Sequence, residues 1–418
     1  MVHETDYWLF RWIDEYGITS RRELHRVLKN PASVEKASTL ASEAAEEVRH
    51  EVRTASILGG SGMDLARLVC GNTDCRVQLL ERVLSKVWFY FDSIILADDI
   101  GDAIRAAALD EDDLQEQLAR AASVCLAIRN LGAERLVGFR SKPPIDVSTM
   151  PKLERATTRL IAELRRGAEI RELDRNYDTD EILFGFRHPA LPVVEKCILH
   201  VPFPDMTPDE DLSYALASVI SQTHVDMLAS DLRAARSYEL PVVTSVELHR
   251  RIMRRLGRQL SNADVAFEMQ LPILDGIPIA ELLRFRESEY DHFVLFRKRL
   301  QELIATEIET TATEQDASKV ARRVVRDGIE PELAKLRIRL KAASSLLRRT
   351  ARFGVGLGAL VAGYGAFRGL LPLATAGVAG SVTTGAAAQQ KFAERVADVR
   401  LDSMYFLWRL SDHSHGSA

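Results

Sequence analysis

The sequence predicts a mainly α-helical protein with a small embedded, largely parallel α/β sheet and a C-terminal Gly/Ala-rich helical hairpin. Apolar residues recur at three- and four-residue spacing along most of the 418 positions, which is typical of amphipathic helices. Short β-branched and aromatic runs alternate with helical stretches in the middle of the chain, as parallel strands with crossover connections require. After residue 352 the composition changes to a stretch rich in glycine and alanine.

The composition excludes several classes of protein. A hydrophobic share of 46% with 28% charged residues is that of a folded globular chain, not of a disordered or purely coiled-coil one. Four cysteines in this length argue against a disulfide scaffold and favour a reducing compartment. The net charge of −5 argues against a protein that is basic throughout and coats nucleic acid. The first residues lack the pattern of a secretory signal, so we expect a cytoplasmic protein.

The N-terminal region, 1–84, is predicted to be helical. The aromatic cluster at positions 7–12 has helical spacing and is interpreted as the core-facing edge of a helix. Thr19 or Ser20 is a candidate helix cap, because a hydroxyl accepts from the free amides of a first turn. A further helix is expected from Ser33 to Ile57, where the glycine run at 59–62 ends it.

The region 85–275 is predicted to contain the α/β unit. The run at 87–96 is rich in aromatic and β-branched residues and is the best candidate for a buried strand. Weaker strand candidates are at 182–186, 197–201, 240–244 and 265–271, and the helical stretches between them are at 112–131, 153–173 and 208–238.

Long amphipathic and basic helices are predicted over 276–350. One helix is expected from 279 to about 310, and a second helical stretch, 316–349, is expected to be broken by Gly328 and Pro331. The predicted Gly-rich hairpin occupies 351–390, and a C-terminal amphipathic helix with a polar tail occupies 391–418.

The hairpin is predicted from two uncharged stretches, 353–367 and 369–388, joined near Arg368. Small residues at intervals along a helix let two backbones approach closely. The glycines in question are Gly354, Gly358, Gly365 and Gly369. No acidic residue lies between Glu332 and Glu394, and the basic side chains before the hairpin include Arg348, Arg349 and Arg352. Two interpretations stay open: a buried hairpin that packs on the last helix, and a segment that contacts anionic lipid or partner helices through 335–390.

Two acidic patterns are candidate metal sites. The first, Asp98-Asp-Ile-Gly-Asp102, matches the DDxxD pattern of isoprenoid synthases, in which carboxylates hold magnesium ions. The competing interpretation is an acidic helix N-terminus after a strand. The second consists of Asp92, within the strongest strand candidate, and Asp226 with Asp231 on a downstream helix.

The second pattern resembles that of PIN-like nucleases. The resemblance implies that Asp92 and Asp226, supported by Asp231, bind Mg²⁺ or Mn²⁺ for phosphodiester hydrolysis. The chain carries Ser245 where that family usually has an aspartate. A separate resemblance over 87–310, carried by the segments 87–96, 240–245 and 271–287, is to an uncharacterised bacterial protein family, and it implies a bacterial intracellular protein without known catalytic residues.

The leading hypothesis is a non-enzymatic protein, stress- or defence-related, whose globular body controls the Gly-rich hairpin. It needs no cofactor, and its expected partner is a membrane surface or a set of partner helices, with homo-oligomerisation left open. The alternative is the metal-dependent nuclease, which alone would bring in nucleic acid as a partner. An isoprenoid-synthase-like enzyme is a more remote alternative.

Overall fold

The computed structural model describes residues 7–44, 54–59, 73–108, 110–141, 150–176, 181–191, 195–200, 209–244, 246–271, 277–311, 316–352, 399 and 401–416. The chain divides into two compact units. Unit 1 comprises residues 1–267 and 278–283, and unit 2 comprises 268–277 and 284–418.

Helices dominate the described residues. The helices are α1 (Trp8–Glu15), α2 (Arg21–Leu28), α3 (Pro31–Glu43), α4 (Thr73–Val87), α5 (Asp99–Arg105), α6 (Glu111–Asn130), α7 (Met150–Gly167), α8 (Asp209–Ser237), α9 (Glu247–Arg255), α10 (Asn262–Glu268), α11 (Ile279–Ser288), α12 (Tyr290–Thr310), α13 (Ala317–Arg323), α14 (Glu330–Arg352) and α15 (Tyr405–Gly416). The strands are β1 (Ala55–Leu58), β2 (Ser93–Ala97), β3 (Val137–Arg140), β4 (Glu169–Asn176), β5 (Glu181–Arg187), β6 (Glu195–His200) and β7 (Val242–Val243). The predicted fold class, mainly α with a small embedded parallel sheet, is confirmed. The predicted hairpin lies outside the described residues.

A four-stranded parallel sheet lies in unit 1, with strand order β3-β2-β1-β7. The central strand β1 pairs with β2 through Ala55 and Ser93, and with β7 through Ile57 and Val242. The prediction of a helix through Ile57 is therefore wrong at its end. All four residues of β1 are buried, as a central strand of a parallel sheet requires.

The strongest strand candidate, 87–96, is only partly a strand. Helix α4 extends to Val87, and β2 begins at Ser93. Between them Trp88 and Phe91 still donate helix-type backbone bonds to Leu84 and Val87. The side chains of the aromatic run are buried. Its apolar composition therefore indicates that the run is buried, and does not indicate that its backbone is extended.

Three further elements differ from their predictions. The helix predicted over 153–173 ends at Gly167, and strand β4 follows it. Strand β3 was not predicted. The strand candidate at 265–271 is mostly helix α10. Ser261 and Asp264 exchange hydrogen bonds there, since the Ser261 amide donates to Asp264 and the Asp264 amide donates to the Ser261 hydroxyl. This reciprocal cap begins a helix.

A second sheet consists of β4, β5 and β6, and it is antiparallel. The strand candidates at 182–186 and 197–201 are confirmed as strands, but they belong to this sheet and not to the parallel one. One hydrophobic cluster joins residues of the parallel sheet (Ile57, Ile95), of β5 (Phe184) and of α8 (Leu216, Ile220). The core of unit 1 thus includes both sheets and α8.

The N-terminal helices of unit 1 are defined by caps and by aromatic burial. Ser20 accepts from the amide of Glu23, and Asn30 accepts from the amide of Ala32, each satisfying a free donor of a first turn. Trp8 and Trp12 on α1 are buried. The interpretation of the aromatic cluster as a core-facing helix edge is confirmed.

Unit 2 contains α12 to α15 and a π-helical turn, Val324–Ile329, between α13 and α14. The single helix predicted for 279–310 is two helices, α11 and α12. Neither Gly328 nor Pro331 ends the helical path. Gly328 lies in the π turn, where a Cβ would approach the Leu303 side chain to 3.2 Å. Pro331 follows the π turn directly, in a helical path that continues from α13 into α14.

Candidate functional site

Four residues at the carboxyl edge of the parallel sheet, Gly59, Asp98, Arg140 and Asp231, form what we call the polar edge. Gly59 follows β1, Asp98 follows β2, Arg140 ends β3, and Asp231 reaches this edge from α8. Open parallel sheets bind ligands at their carboxyl edge, where the strand order reverses. Here the order reverses between β1 and β7.

A buried ion pair occupies the polar edge. Arg140 Nη2 donates to Asp231 Oδ1 at 2.7 Å, and the Arg140 side chain is fully buried. Gly59 provides the space for this contact, because a Cβ there would lie 2.7 Å from Val242 Cγ1 and 3.2 Å from Asp231 Oδ2. The two charges neutralise each other, so the pair links β3 to α8 and presents no free base or nucleophile.

Asp98 is held by hydrogen bonds from several elements. Its carboxylate accepts from Tyr7 Oη at 2.7 Å, from Trp8 Nε1 at 2.9 Å and from the amide of Gly101 at 3.0 Å. Burial raises the pKa of Asp98, and these donors, with nearby Arg105, oppose the rise. Burial and the Asp98 carboxylate likewise raise the pKa of Tyr7.

The DDxxD pattern is a helix N-terminus. Asp98 caps α5 through the Gly101 amide, and Asp102 pairs with Arg105 at 2.8 Å. The interpretation as an acidic helix start after a strand is therefore confirmed. Since Asp98 already binds donors from α1 and α5, it is not arranged with Asp102 as a magnesium ligand pair.

The three aspartates of the nuclease alternative lie apart. Asp92 precedes β2 and its amide donates to the carbonyl of Thr54 at 2.7 Å, which places it at the amino edge of the sheet. Asp231 is at the carboxyl edge, so the length of β2, roughly 13 Å, separates the two edges. Asp226 is exposed on α8 and accepts from Gln222 Nε2 at 2.8 Å.

No group of three or more His, Cys, Asp or Glu side chains that could hold a metal ion occurs within the described ranges. Asp92, Asp226 and Asp231 all lie in those ranges. The metal site for Mg²⁺ or Mn²⁺ that the nuclease resemblance implies is thus not formed by these residues. The physical reason is that Asp231 is paired with Arg140, while Asp92 faces the opposite edge.

A buried histidine pair joins α8 to α9. His224 Nδ1 lies 3.2 Å from His249 Nε2, and both residues are buried. Burial, with a smaller contribution from the neighbouring His224, lowers the pKa of His249 from 6.5 to about 3. His224 is thus a hydrogen-bonded residue of the core.

The histidine pair predicts an acid-sensitive unit 1. Between pH 6.5 and 3 the unfolded chain binds a proton at His249 and the folded chain does not, so acidification favours unfolding. Lowering the pH from 7.5 to 5 should reduce the free energy of unfolding by roughly 2 kcal/mol more in the wild type than in His249→Gln. Urea unfolding at the two pH values measures this difference.

The matched control is His25→Gln, since His25 is exposed on α2. It should show the same pH dependence as the wild type. A His249→Gln protein that loses as much stability on acidification as the wild type would contradict the prediction.

The helices that flank the Gly-rich segment belong to one bundle in unit 2. Helix α14 leads into the segment and α15 follows it, and both helices contact each other. Arg339 on α14 pairs with Asp402, just before α15, at 2.9 Å. Phe406 of α15 is fully buried against Phe293 and Phe296 of α12. The helix before the segment and the helix after it are therefore packed in the same bundle.

The predicted contact residues lie either at the end of α14 or outside the described residues. Arg348, Arg349 and Arg352 lie in the last turns of α14. Gly354, Gly358, Gly365 and Gly369 lie outside the described residues. Among helices that the structure describes, none is both long and apolar enough to cross a bilayer.

Sequence reasoning missed Arg140 and the donors to Asp98. Arg140 is 91 positions from Asp231, and Tyr7 and Trp8 are 91 and 90 positions from Asp98. The sequence does contain a signal for the capping role of Asp98, because an aspartate between a buried strand and a helix is typical of a helix N-cap. No local pattern pointed to Arg140.

No family model, curated protein or solved structure matches this chain. The resemblances to PIN-like nucleases and to an uncharacterised bacterial family stay predictions.

Proposed function

We propose that this chain is a non-enzymatic, intracellular membrane-surface protein whose globular body controls the Gly-rich apolar segment 353–388. The segment is inserted between α14 and α15. We propose that this segment contacts an anionic lipid surface. The test below distinguishes this from contact with partner helices. The proposal needs no metal or cofactor.

The exposed face of α14 is the observation that carries the proposal. Leu333, Leu336 and Leu340 are buried at spacings of three and four residues. The exposed residues over 334–341 are mainly cationic: Lys335, Arg337, Arg339 and Lys341. A helix with this arrangement presents positive charge to solvent immediately before an apolar stretch, and basic residues beside an apolar segment are attracted to anionic headgroups.

Exposed apolar side chains accompany this charge. Ile338 is 68% exposed and Leu401 is 72% exposed. Ile338 precedes Arg339 and Leu401 precedes Asp402. Because Arg339 and Asp402 form an ion pair, both apolar side chains lie near the point where α14 meets the residues before α15. Large apolar side chains beside exposed cations favour insertion at the headgroup boundary of a bilayer.

Flotation with lipid vesicles tests the proposal. The full chain should float with vesicles of phosphatidylcholine and phosphatidylserine, and less with phosphatidylcholine alone, because the attraction is electrostatic. Deleting 353–388 should abolish flotation while the protein keeps a cooperative urea transition. The triple variant Arg348→Glu/Arg349→Glu/Arg352→Glu should reduce flotation severalfold.

The control is Lys319→Glu/Arg322→Glu/Arg326→Glu, which reverses three exposed cations of α13 and the π turn and changes the net charge equally. It should float as the wild type does. Flotation that survives the deletion would refute the proposal. So would a deletion variant without a folding transition, since the segment would then be part of the core. Self-association that depends on 353–388 without flotation would favour partner helices.

A further inference from the structure

A basic cleft lies between α7 and α9 in unit 1, away from the polar edge. It has a volume of about 650 Å³ and is lined by Arg159, Ala162, Glu163, Arg166 and Arg255. This volume is within the range of ligand-binding clefts. Among the described lining residues are three guanidinium groups and one carboxylate, a net charge of about +2.

Salt bridges from Glu163 hold the two helices together. Arg251 Nη1 and Arg255 Nη2 contact the Glu163 carboxylate at 3.2 and 2.9 Å. Desolvation tends to raise the pKa of Glu163, but the hydrogen bonds and charges of Arg255 and Arg251 together outweigh it and lower this pKa. Glu163 is therefore already neutralised by α9.

Arg159 and Arg166 supply the uncompensated charge. Both are exposed on α7, and among the described side chains no carboxylate pairs with either. The nearest partner of Arg166 is its own helix, through a bond from Nε to the carbonyl of Ala162 at 3.1 Å. Positions 159, 162, 163 and 166 share one face of a helix, so these cations point into the same cleft.

The basic surface continues along α9. Arg250, Arg251 and Arg254 all contact the single carboxylate of Glu247. Seven residues separate Arg159 from Arg166, about 10 Å along the helix axis. This spread exceeds one phosphate group and matches about three nucleotide steps of 3.4 Å along one strand of a duplex.

We propose that the cleft between α7 and α9 binds the phosphate backbone of a nucleic acid. Guanidinium groups form paired hydrogen bonds to phosphate oxygens and remain charged at all physiological pH values. None of the lining residues that the structure describes is aromatic, so no base stacks on them and we expect binding that is independent of sequence. The proposal does not depend on the lipid interaction of unit 2.

Fluorescence anisotropy with a labelled 20-nucleotide DNA, single-stranded and duplex, tests this on the full chain at several KCl concentrations. Arg159→Ala/Arg166→Ala should weaken binding at least tenfold and make the slope of log K against log[KCl] less negative by about 1 to 2. Both side chains are exposed, so the variant should keep the thermal stability of the wild type.

The control Arg22→Ala/Arg26→Ala removes two exposed arginines from α2 and the same net charge. It should bind DNA within twofold of the wild type. Equal weakening by both double variants would refute the cleft as the site. If tripolyphosphate competes as well as DNA at equal phosphate concentration, the site binds small polyanions and the nucleic-acid proposal is refuted. The absence of DNA binding by the wild type would also refute it.

Discussion

Asp231→Ala is expected to lower the free energy of unfolding of unit 1 by about 3 to 5 kcal/mol. The substitution leaves the Arg140 guanidinium buried without its carboxylate, in a side chain with no exposed surface. A buried charge that loses its partner cannot recover hydration unless the structure opens. Urea unfolding followed by tryptophan fluorescence reports mainly unit 1, because three of the four tryptophans, Trp8, Trp12 and Trp88, are buried there.

Two comparisons separate this effect from loss of a surface charge. Glu116→Ala breaks an exposed pair with Arg120 on α6 and should cost no more than about 1 kcal/mol. Arg140→Met/Asp231→Leu removes both charges and should recover most of the stability lost in Asp231→Ala. If Asp231→Ala were no more destabilising than Glu116→Ala, the pair would not be buried as described.

Phe406→Ala is expected to destabilise unit 2 by about 3 to 5 kcal/mol. The Phe406 ring is fully buried, with centroids of Phe285 and Phe293 at 5.4 Å and of Phe296 at 5.7 Å. Its loss leaves a cavity at the junction of α12 and α15. Amide hydrogen exchange measured by mass spectrometry should show faster exchange in both helices.

Phe406→Leu keeps most of the apolar volume and should cost less than half as much. Leu401→Ala truncates an exposed side chain and should change stability by under about 0.5 kcal/mol. Unchanged exchange in α15 after Phe406→Ala would mean that the Arg339–Asp402 ion pair and the other contacts suffice to hold α15 in the bundle.

The fold class was predictable because helical periodicity is local. Apolar spacing predicted α6 and α8 within two residues of their ends, and short apolar runs predicted β5 and β6. Periodicity does not distinguish a buried strand from a buried turn, which is why the aromatic run before β2 was assigned as strand. It also could not reveal β1, whose four residues continue a helical pattern and become a strand only through pairing with β2 and β7.

The candidate site was less predictable because its contacts are long-range. Asp231 was assigned a supporting role in metal binding through the resemblance to PIN-like nucleases. Its partner Arg140 lies at the end of a short strand that no local pattern marked. The basic cleft between α7 and α9 was missed for the same reason, since arginines on an amphipathic helix look the same whether they face open solvent or a facing helix.

The pairing of β1 with β7 has a consequence for the order of folding during synthesis. Strand β7 ends at residue 243, 185 positions after the end of β1. Until residue 243 has been translated, the edge of β1 that pairs with β7 has no partner strand. Residues 353–388 follow the last residue of unit 1, 283, by 70 positions. At ribosomal rates of about 5 to 20 residues per second, unit 1 has several seconds to close its sheet before the apolar stretch emerges. The nascent chain therefore need not expose an open strand edge and the apolar stretch at the same time.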